Sequence, residues 1–90
     1  MRMKEDELQK GMVFKCYKNH NIYHKCVFSL IMREGISDVW FVDILQSNGK
    51  EDEWNRRRLP NGKLKEVVTL MTILSNSVLL LSEQNPDELL

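Results

Sequence analysis

Apolar and polar residues alternate along the first half of the chain. The segments 12–17 and 23–33 both repeat with a period of two, which is the spacing at which side chains share one face of a β-strand. The apolar faces carry Met12, Phe14 and Cys16 in the first segment, and Cys26, Phe28, Leu30 and Met32 in the second. The segment 39–47 is dense in β-branched and aromatic residues on both faces. It therefore predicts a central strand that is buried on both sides.

Turn-forming residues separate these segments. The sequence EGISD at 34–38 predicts a turn between the second and third strands. Asn48 and Gly49 form a pair that is typical of a tight hairpin. The residues at 60–62 read Pro-Asn-Gly, where the proline presets the turn and Gly62 can take a positive φ. These residues predict a hairpin between the segments 53–59 and 63–71.

The two ends of the chain are less regular. The first ten residues predict a short helical turn that Gly11 ends. The segment 67–82 fits two structures, because its apolar residues line one helix face while residues 75–77 divide it into two strands. The helix face would carry Val67, Leu70, Met71, Leu74, Val78 and Leu81. The β-branched content of the segment favours strands over the helix.

Five or six short strands joined by tight turns predict an all-β, mainly antiparallel fold. A chain of 90 residues buries only about 60–65% of the surface that it exposes when unfolded. The meander must therefore curl to cover its apolar face, which predicts a small SH3-like barrel with an added C-terminal hairpin or helix. We expect one domain over residues 1–90, with flexible ends at 1–10 and 84–90.

Composition and charge narrow the function classes. Hydrophobic residues make up 42% and charged residues 29% of the chain, which excludes a disordered protein. The 13 basic and 13 acidic residues cancel, so any contact with nucleic acid must come from a local patch. The charged start lacks the apolar run of a signal peptide, and the apolar run at 67–81 is too short and too interrupted to span a bilayer. We expect a cytoplasmic protein with reduced thiols and no contact with a membrane.

Residues 11–45 resemble the Tudor-type barrel, whose pattern runs from a glycine to a third strand of the form V-x-F-x-D-Y-G. The matching positions are Gly11, Tyr23, Val27, Val39, Phe41 and Asp43. The resemblance implies a five-stranded SH3-like barrel. Tudor domains bind methylated lysine or arginine in an aromatic cage, to which Tyr23 and Phe41 correspond here, with Tyr17 and Trp40 near them in sequence.

The chain also departs from the Tudor-type pattern. It has Ile44 and Leu45 where the family has Tyr-Gly, and Ile22 replaces a frequent aromatic residue. The resemblance therefore supports the fold rather than methyl-cation binding.

Both cysteines and both histidines lie within eleven residues. Cys16, His20, His24 and Cys26 follow a C-x3-H-x3-H-x-C spacing, and tetrahedral zinc accepts such a ligand set. The spacing matches none of the common zinc modules, however. Cys16 and Cys26 also continue the apolar faces of their strands, as buried free cysteines do. We therefore expect core cysteines, solvated histidines and no cofactor, with zinc, a disulfide or a redox role as alternatives.

One predicted hairpin concentrates positive charge. Its candidate nucleic-acid-binding residues are Arg56, Arg57, Arg58, Lys63, Lys65 and Trp54. Guanidinium groups bind phosphates well, and an adjacent indole can stack on a base. The hairpin therefore predicts contact with single-stranded nucleic acid. Trp40 is a second candidate for stacking. The alternative is a solvated edge hairpin whose charges prevent edge-to-edge pairing.

The sequence does not predict an enzyme. It lacks the G-x-S-x-G elbow, the glycine-rich phosphate loop and the H-E-x-x-H helix. His20 and His24 with Lys25 would be an acid–base set only for a metal-independent nuclease. A non-catalytic binding module is the main prediction. Its alternative to nucleic acid is a protein partner or a second copy of the chain, contacted through Trp40, Tyr23 and Phe41 together with Trp54 and the apolar segment 67–81.

Overall fold

The computed structural model describes residues 2–18, 21–49 and 54–84. These residues form six antiparallel strands and one short α-helix, with 3-10 turns at Glu5–Glu7 and Leu81–Glu83. The strands are β1 (Val13–Tyr17), β2 (Tyr23–Glu34), β3 (Ser37–Ser47), β4 (Arg56–Arg58), β5 (Leu64–Val68) and β6 (Ser77–Leu79), and the helix is α1 (Leu70–Ser75). The predicted all-β, mainly antiparallel class is confirmed.

The six strands form one sheet in the order β4-β5-β3-β2-β1-β6. The long strands β2 and β3 lie at its centre, as predicted for the segment 39–47. The register of β2 against β3 shifts between Lys25 and Cys26 and again between Phe28 and Leu30. Such bulges bend a strand and increase its twist. Over the described residues the bent sheet keeps two outer strands, β4 and β6, and does not close into the predicted barrel.

The apolar faces predicted for β1 and β2 meet in the core. Phe14 is fully buried and stacks on Phe28, with ring centroids 4.5 Å apart. The buried cluster comprises Met3, Met12, Phe14, Cys16, Cys26, Phe28, Trp40, Val42, Trp54, Val68, Ile73 and Leu79. Period-two alternation thus predicted the buried face of β1 and of β2 as far as Phe28. Beyond the register shift between Phe28 and Leu30, the prediction is wrong, because Ile31 packs against the core instead of Leu30 and Met32.

Two of the predicted turns are confirmed. Gly35 connects β2 to β3 with a φ of +63°, and Gly62 takes a φ of +86° in the hairpin between β4 and β5. In that hairpin the amide of Leu59 donates to the carbonyl of Lys63 at 2.8 Å. Only glycine adopts these backbone conformations without strain, which explains its place in both turns.

Asn48 and Gly49 bend the chain at the end of β3, but the described residues contain no hairpin that joins β3 to the next strand. The next described strand, β4, pairs with β5 and not with β3. The side chain of Asn48 accepts a hydrogen bond from the amide of Tyr23 at 2.8 Å and donates to the carbonyl of Asn21 at 2.7 Å. The asparagine therefore ties the end of β3 to the segment that leads into β2.

The favoured two-strand prediction for the segment 67–82 is wrong over residues 70–75, which form α1. Thr69 accepts a hydrogen bond from the amide of Thr72 at its side-chain oxygen and so caps the helix. Ile73 is fully buried, while Ser77–Leu79 returns to extended backbone and pairs with β1. Over the described residues, no helix is both long and apolar enough to cross a bilayer.

The start of the chain packs against the sheet. The short helical turn predicted there is present as Glu5–Glu7, and Gly11 follows it with a φ of +92°. Met3 is 6% exposed, and Arg2 forms a β-bridge with Val78 of β6. Residues 85–90, most of the predicted flexible C-terminal end, lie outside the described residues.

Candidate functional site

The arginines and lysines of the predicted basic hairpin lie together on β4, β5 and their turn, but most are paired with groups of the same chain. Arg57 donates to both carboxylate oxygens of Glu34, at 2.5 and 2.7 Å. This hydrogen-bonded pair, with the charge of Glu34, raises the pKa of Arg57. Arg56 pairs with Glu66 at 3.5 Å, Lys65 with Asp43, and Arg58 donates to the carbonyl of Gly62 at 2.8 Å.

The three arginines of β4 lie at an edge of the sheet. β4 is an outer strand of the sheet and its three arginines are all exposed. Among the described strands it pairs only with β5. A row of charged side chains on an outer strand opposes pairing with another chain. This placement matches the edge-protection alternative. Lys63 is exposed in the turn of the same hairpin.

The structure does not place either predicted stacking tryptophan on the surface. Trp54 is 7% and Trp40 is 6% exposed. The indole NH of Trp54 donates to Nε2 of His24 at 2.8 Å, and Lys18 Nζ lies 5.3 Å from the centroid of the Trp54 ring. Phe41, a candidate for partner binding, is 3% exposed. These three rings are too buried in this conformation to receive a base or a partner side chain.

The cysteine–histidine segment forms part of the core. Cys16 and Cys26 are buried free cysteines, and their Sγ atoms are 4.0 Å apart. His24 is fully buried, so the expectation of a solvated His24 is wrong. Alternation explains this, because His24 lies directly opposite Cys16 on the face that Cys26 continues.

The described part of the cluster does not assemble a metal site. His20 lies outside the described residues, so the complete zinc set stays a hypothesis. Among residues 2–18, 21–49 and 54–84, no group of three or more histidine, cysteine, aspartate or glutamate side chains is placed to hold a metal ion.

The two thiols differ in acidity because they share one hydrogen bond. The hydrogen bond to Cys16, followed by burial, raises the pKa of Cys26. The same hydrogen bond lowers the pKa of Cys16, with a smaller contribution from Lys18. Cys16 is therefore the more acidic thiol of the pair.

Two tyrosines lie side by side at one end of β1 and β2. Tyr17 and Tyr23 are register partners, their ring centroids are 6.2 Å apart, and both are half-buried. Lys15 Nζ lies 3.9 Å from the centroid of Tyr23 and 5.7 Å from that of Tyr17. The backbone holds Tyr17 in place, because its amide donates to the carbonyl of Asn76 at 2.8 Å.

A row of basic residues lies beside the tyrosines. Arg2 pairs with Val78, Val78 with Lys15, and Lys15 with Lys25 across neighbouring strands. Side chains that are directly opposite in antiparallel strands project from the same face of the sheet. Lys25 also forms an ion pair with Glu83 at 2.6 Å.

A groove of about 470 Å³ opens next to Tyr17. Its lining residues are Arg2, Tyr17, Lys18, Ser75, Asn76, Ser77 and Val78. A second groove, of about 230 Å³, shares Tyr17, Lys18 and Asn76 with the first. Among the described residues, two charged side chains line the first groove, and both of them, Arg2 and Lys18, are basic. We define the tyrosine–lysine surface as Arg2, Lys15, Tyr17, Lys18 and Tyr23.

Sequence reasoning found only part of this surface. The Tudor-type resemblance indicates Tyr23 and Tyr17, whereas no sequence motif marks Arg2, Lys15 or Lys18. The available signal was the alternation itself. Lys15 and Tyr17 are two residues apart, as are Tyr23 and Lys25, so each pair shares a strand face.

Comparison of the chain with protein-family models, curated proteins and solved structures finds no match. The choice of a function therefore depends on the side chains that the fold brings together. The tyrosine–lysine surface combines exposed aromatic area with positive charge. The basic hairpin is exposed and charged, but it has no exposed ring among the predicted residues.

Proposed function

We propose that this protein is a non-catalytic binding module that holds single-stranded nucleic acid on the tyrosine–lysine surface. The observation that carries the proposal is the paired rings of Tyr17 and Tyr23 with Lys15 Nζ 3.9 Å from one of them. Proteins that hold single strands combine aromatic rings, on which bases stack, with cations that follow the phosphates. Arg2 and Lys18, which line the adjoining groove, supply further cations.

The distribution of charge supports this location. The chain has no net charge, so a nucleic-acid site needs a local excess of basic residues. Outside the acidic turn Glu5–Glu7, every described carboxylate is in an ion pair with a basic side chain. Arg2 and Lys15 have none of these carboxylates as a partner. Arg56 and Arg57 each have one, and this contrast favours the tyrosine–lysine surface.

The finer fold assignment, a small SH3-like barrel of Tudor type, belongs to the same proposal. The length of β2 and its two register shifts support it, because bulges let a small sheet curve towards closure. The free buried thiols of Cys16 and Cys26 suit a cytoplasmic protein, since that compartment keeps cysteines reduced.

A protein-interaction module is the second candidate, and it has its own observation. Ile36 is 92% exposed at the β2–β3 turn, beside a groove of about 400 Å³ whose lining includes Val39 and Leu70. Exposed apolar residues next to a groove favour a protein partner. Nucleic acid ranks first because aromatic faces and several cations meet at one surface.

Fluorescence anisotropy with labelled single-stranded RNA and DNA of about 12 nucleotides tests the proposal. We expect binding that weakens with salt and falls about tenfold or more in a Tyr17→Leu, Tyr23→Leu double variant, which keeps side-chain bulk but removes the rings. The matched control, Tyr17→Phe with Tyr23→Phe, keeps the rings and should bind like the wild type. Absence of binding at low salt contradicts the proposal and favours the protein-interaction candidate.

A further inference from the structure

Lys15 occupies the place on Tyr23 that a stacking base would take. Lys15 and Lys25 are directly opposite on neighbouring strands, and like charges in that relation repel. The two side chains turn apart, since Lys25 pairs with Glu83 while Lys15 leans diagonally over the ring of Tyr23. The free protein thus carries its own cation on the aromatic face.

We propose that nucleic-acid binding at this surface is a displacement, in which an unpaired base takes the ring of Tyr23 and the released ammonium of Lys15 contacts a neighbouring phosphate. The inference rests on the proposed function and states which ligands the same site selects. The ligand must offer an unpaired base and an adjacent phosphate together. A duplex offers phosphates without free base faces, and an acidic peptide without aromatic residues offers charge without a stacking surface.

The displacement is feasible because a cation over partly solvent-exposed rings is held only weakly. Removing Lys15 removes a competitor for the ring, which should strengthen stacking about two- to fivefold. It also removes one phosphate contact, which lowers the slope of log affinity against log salt by about 0.7 for a single strand. The two effects oppose each other, and only the second depends on salt.

A salt series with a Lys15→Ala variant separates these effects. The wild type should bind the labelled single strand more tightly below about 0.1 M salt, and the variant more tightly above about 0.3 M, so the two plots cross. The matched control is Lys25→Ala, which loses the same charge from the same row of residues. Its affinity should stay at or below that of the wild type at every salt concentration.

The proton NMR spectrum of the free protein provides a separate readout. The ε-methylene protons of Lys15 should be shifted upfield by the ring of Tyr23, lose this shift in Tyr23→Leu, and lose it again when the oligonucleotide is added. Binding with plots that do not cross, or a Lys15 shift that the oligonucleotide leaves unchanged, overturns the displacement but leaves the proposed function standing. Absence of binding by the wild type overturns both.

Discussion

The indole NH of Trp54 donates a hydrogen bond to Nε2 of His24 at 2.8 Å inside the core. Because Nε2 accepts, a neutral His24 carries its proton on Nδ1. The two rings meet edge to face, with centroids 4.3 Å apart and an interplanar angle of 80°. The hydrogen bond satisfies one buried polar atom of each side chain.

This pairing predicts coupled losses of stability. Trp54→Phe should lower the free energy of unfolding by about 2–4 kcal/mol, because it removes buried volume and leaves Nε2 without its indole donor. His24→Leu should cost a similar amount by leaving the indole NH without its acceptor. Urea unfolding of the double variant should show a loss smaller than the sum of the two single losses. Additive losses would mean that the hydrogen bond does not stabilise the fold.

The arginines of β4 should keep the chain monomeric. Replacing Arg56, Arg57 and Arg58 with threonine leaves a β-forming outer strand without charge, and we expect stronger self-association by analytical ultracentrifugation. The matched control replaces the three arginines with lysine and should sediment like the wild type. If the threonine variant also sediments like the wild type, edge protection is not the role of these residues.

The thiol of Cys26 predicts a loss of stability in alkali. Its pKa is raised by the hydrogen bond to Cys16 and by burial, so the folded chain keeps a proton that the unfolded chain loses above about pH 8.5. The contribution of Cys26 is therefore complete below that pH and decreases above it, by up to about 1.4 kcal/mol per pH unit. Urea unfolding between about pH 8.5 and 10 should give a shallower dependence for the double variant Cys16→Ala, Cys26→Ala, because it removes both of the coupled thiols. Equal slopes would show that the pair ionises alike in both states.

The cap of α1 should stabilise the C-terminal segment. Thr69→Ala removes the side-chain oxygen that accepts from the amide of Thr72 at 3.2 Å, and should cost about 1 kcal/mol of unfolding free energy. Thr69→Ser keeps the acceptor and should cost little. A serine variant as unstable as the alanine variant would locate the effect in the lost methyl group instead.

The strands could be predicted wherever apolar and polar residues alternate with a period of two. Alternation located β1 and β2, and Gly62 marked the β4–β5 hairpin, because a strand face and a positive φ are local properties. The segment 70–75 could not be assigned in this way, since its β-branched residues favour strands. The cap at Thr69 and the burial of Ile73 outweigh that preference, and the burial depends on the rest of the sheet.

The candidate site was harder to predict for a similar reason. Clustered basic residues are visible in sequence, but the carboxylates that pair with Arg57 and Lys65 come from Glu34 and Asp43 on other strands. The burial of Trp54 depends on His24, which lies thirty residues away. Lys15 and Tyr23 become neighbours only through the register of β1 with β2. Charge and aromatic content predicted a class of function, whereas the pairing of strands decided which residues face solvent.

The most direct test of the central claim is an NMR titration of the isotope-labelled protein with a short single-stranded oligonucleotide. The account predicts that the largest changes in amide and ring signals appear at Lys15, Tyr17, Lys18 and Tyr23, with small changes at Arg56–Arg58. Changes concentrated on the Arg56–Arg58 hairpin, or a spectrum that the oligonucleotide leaves unchanged, would contradict it.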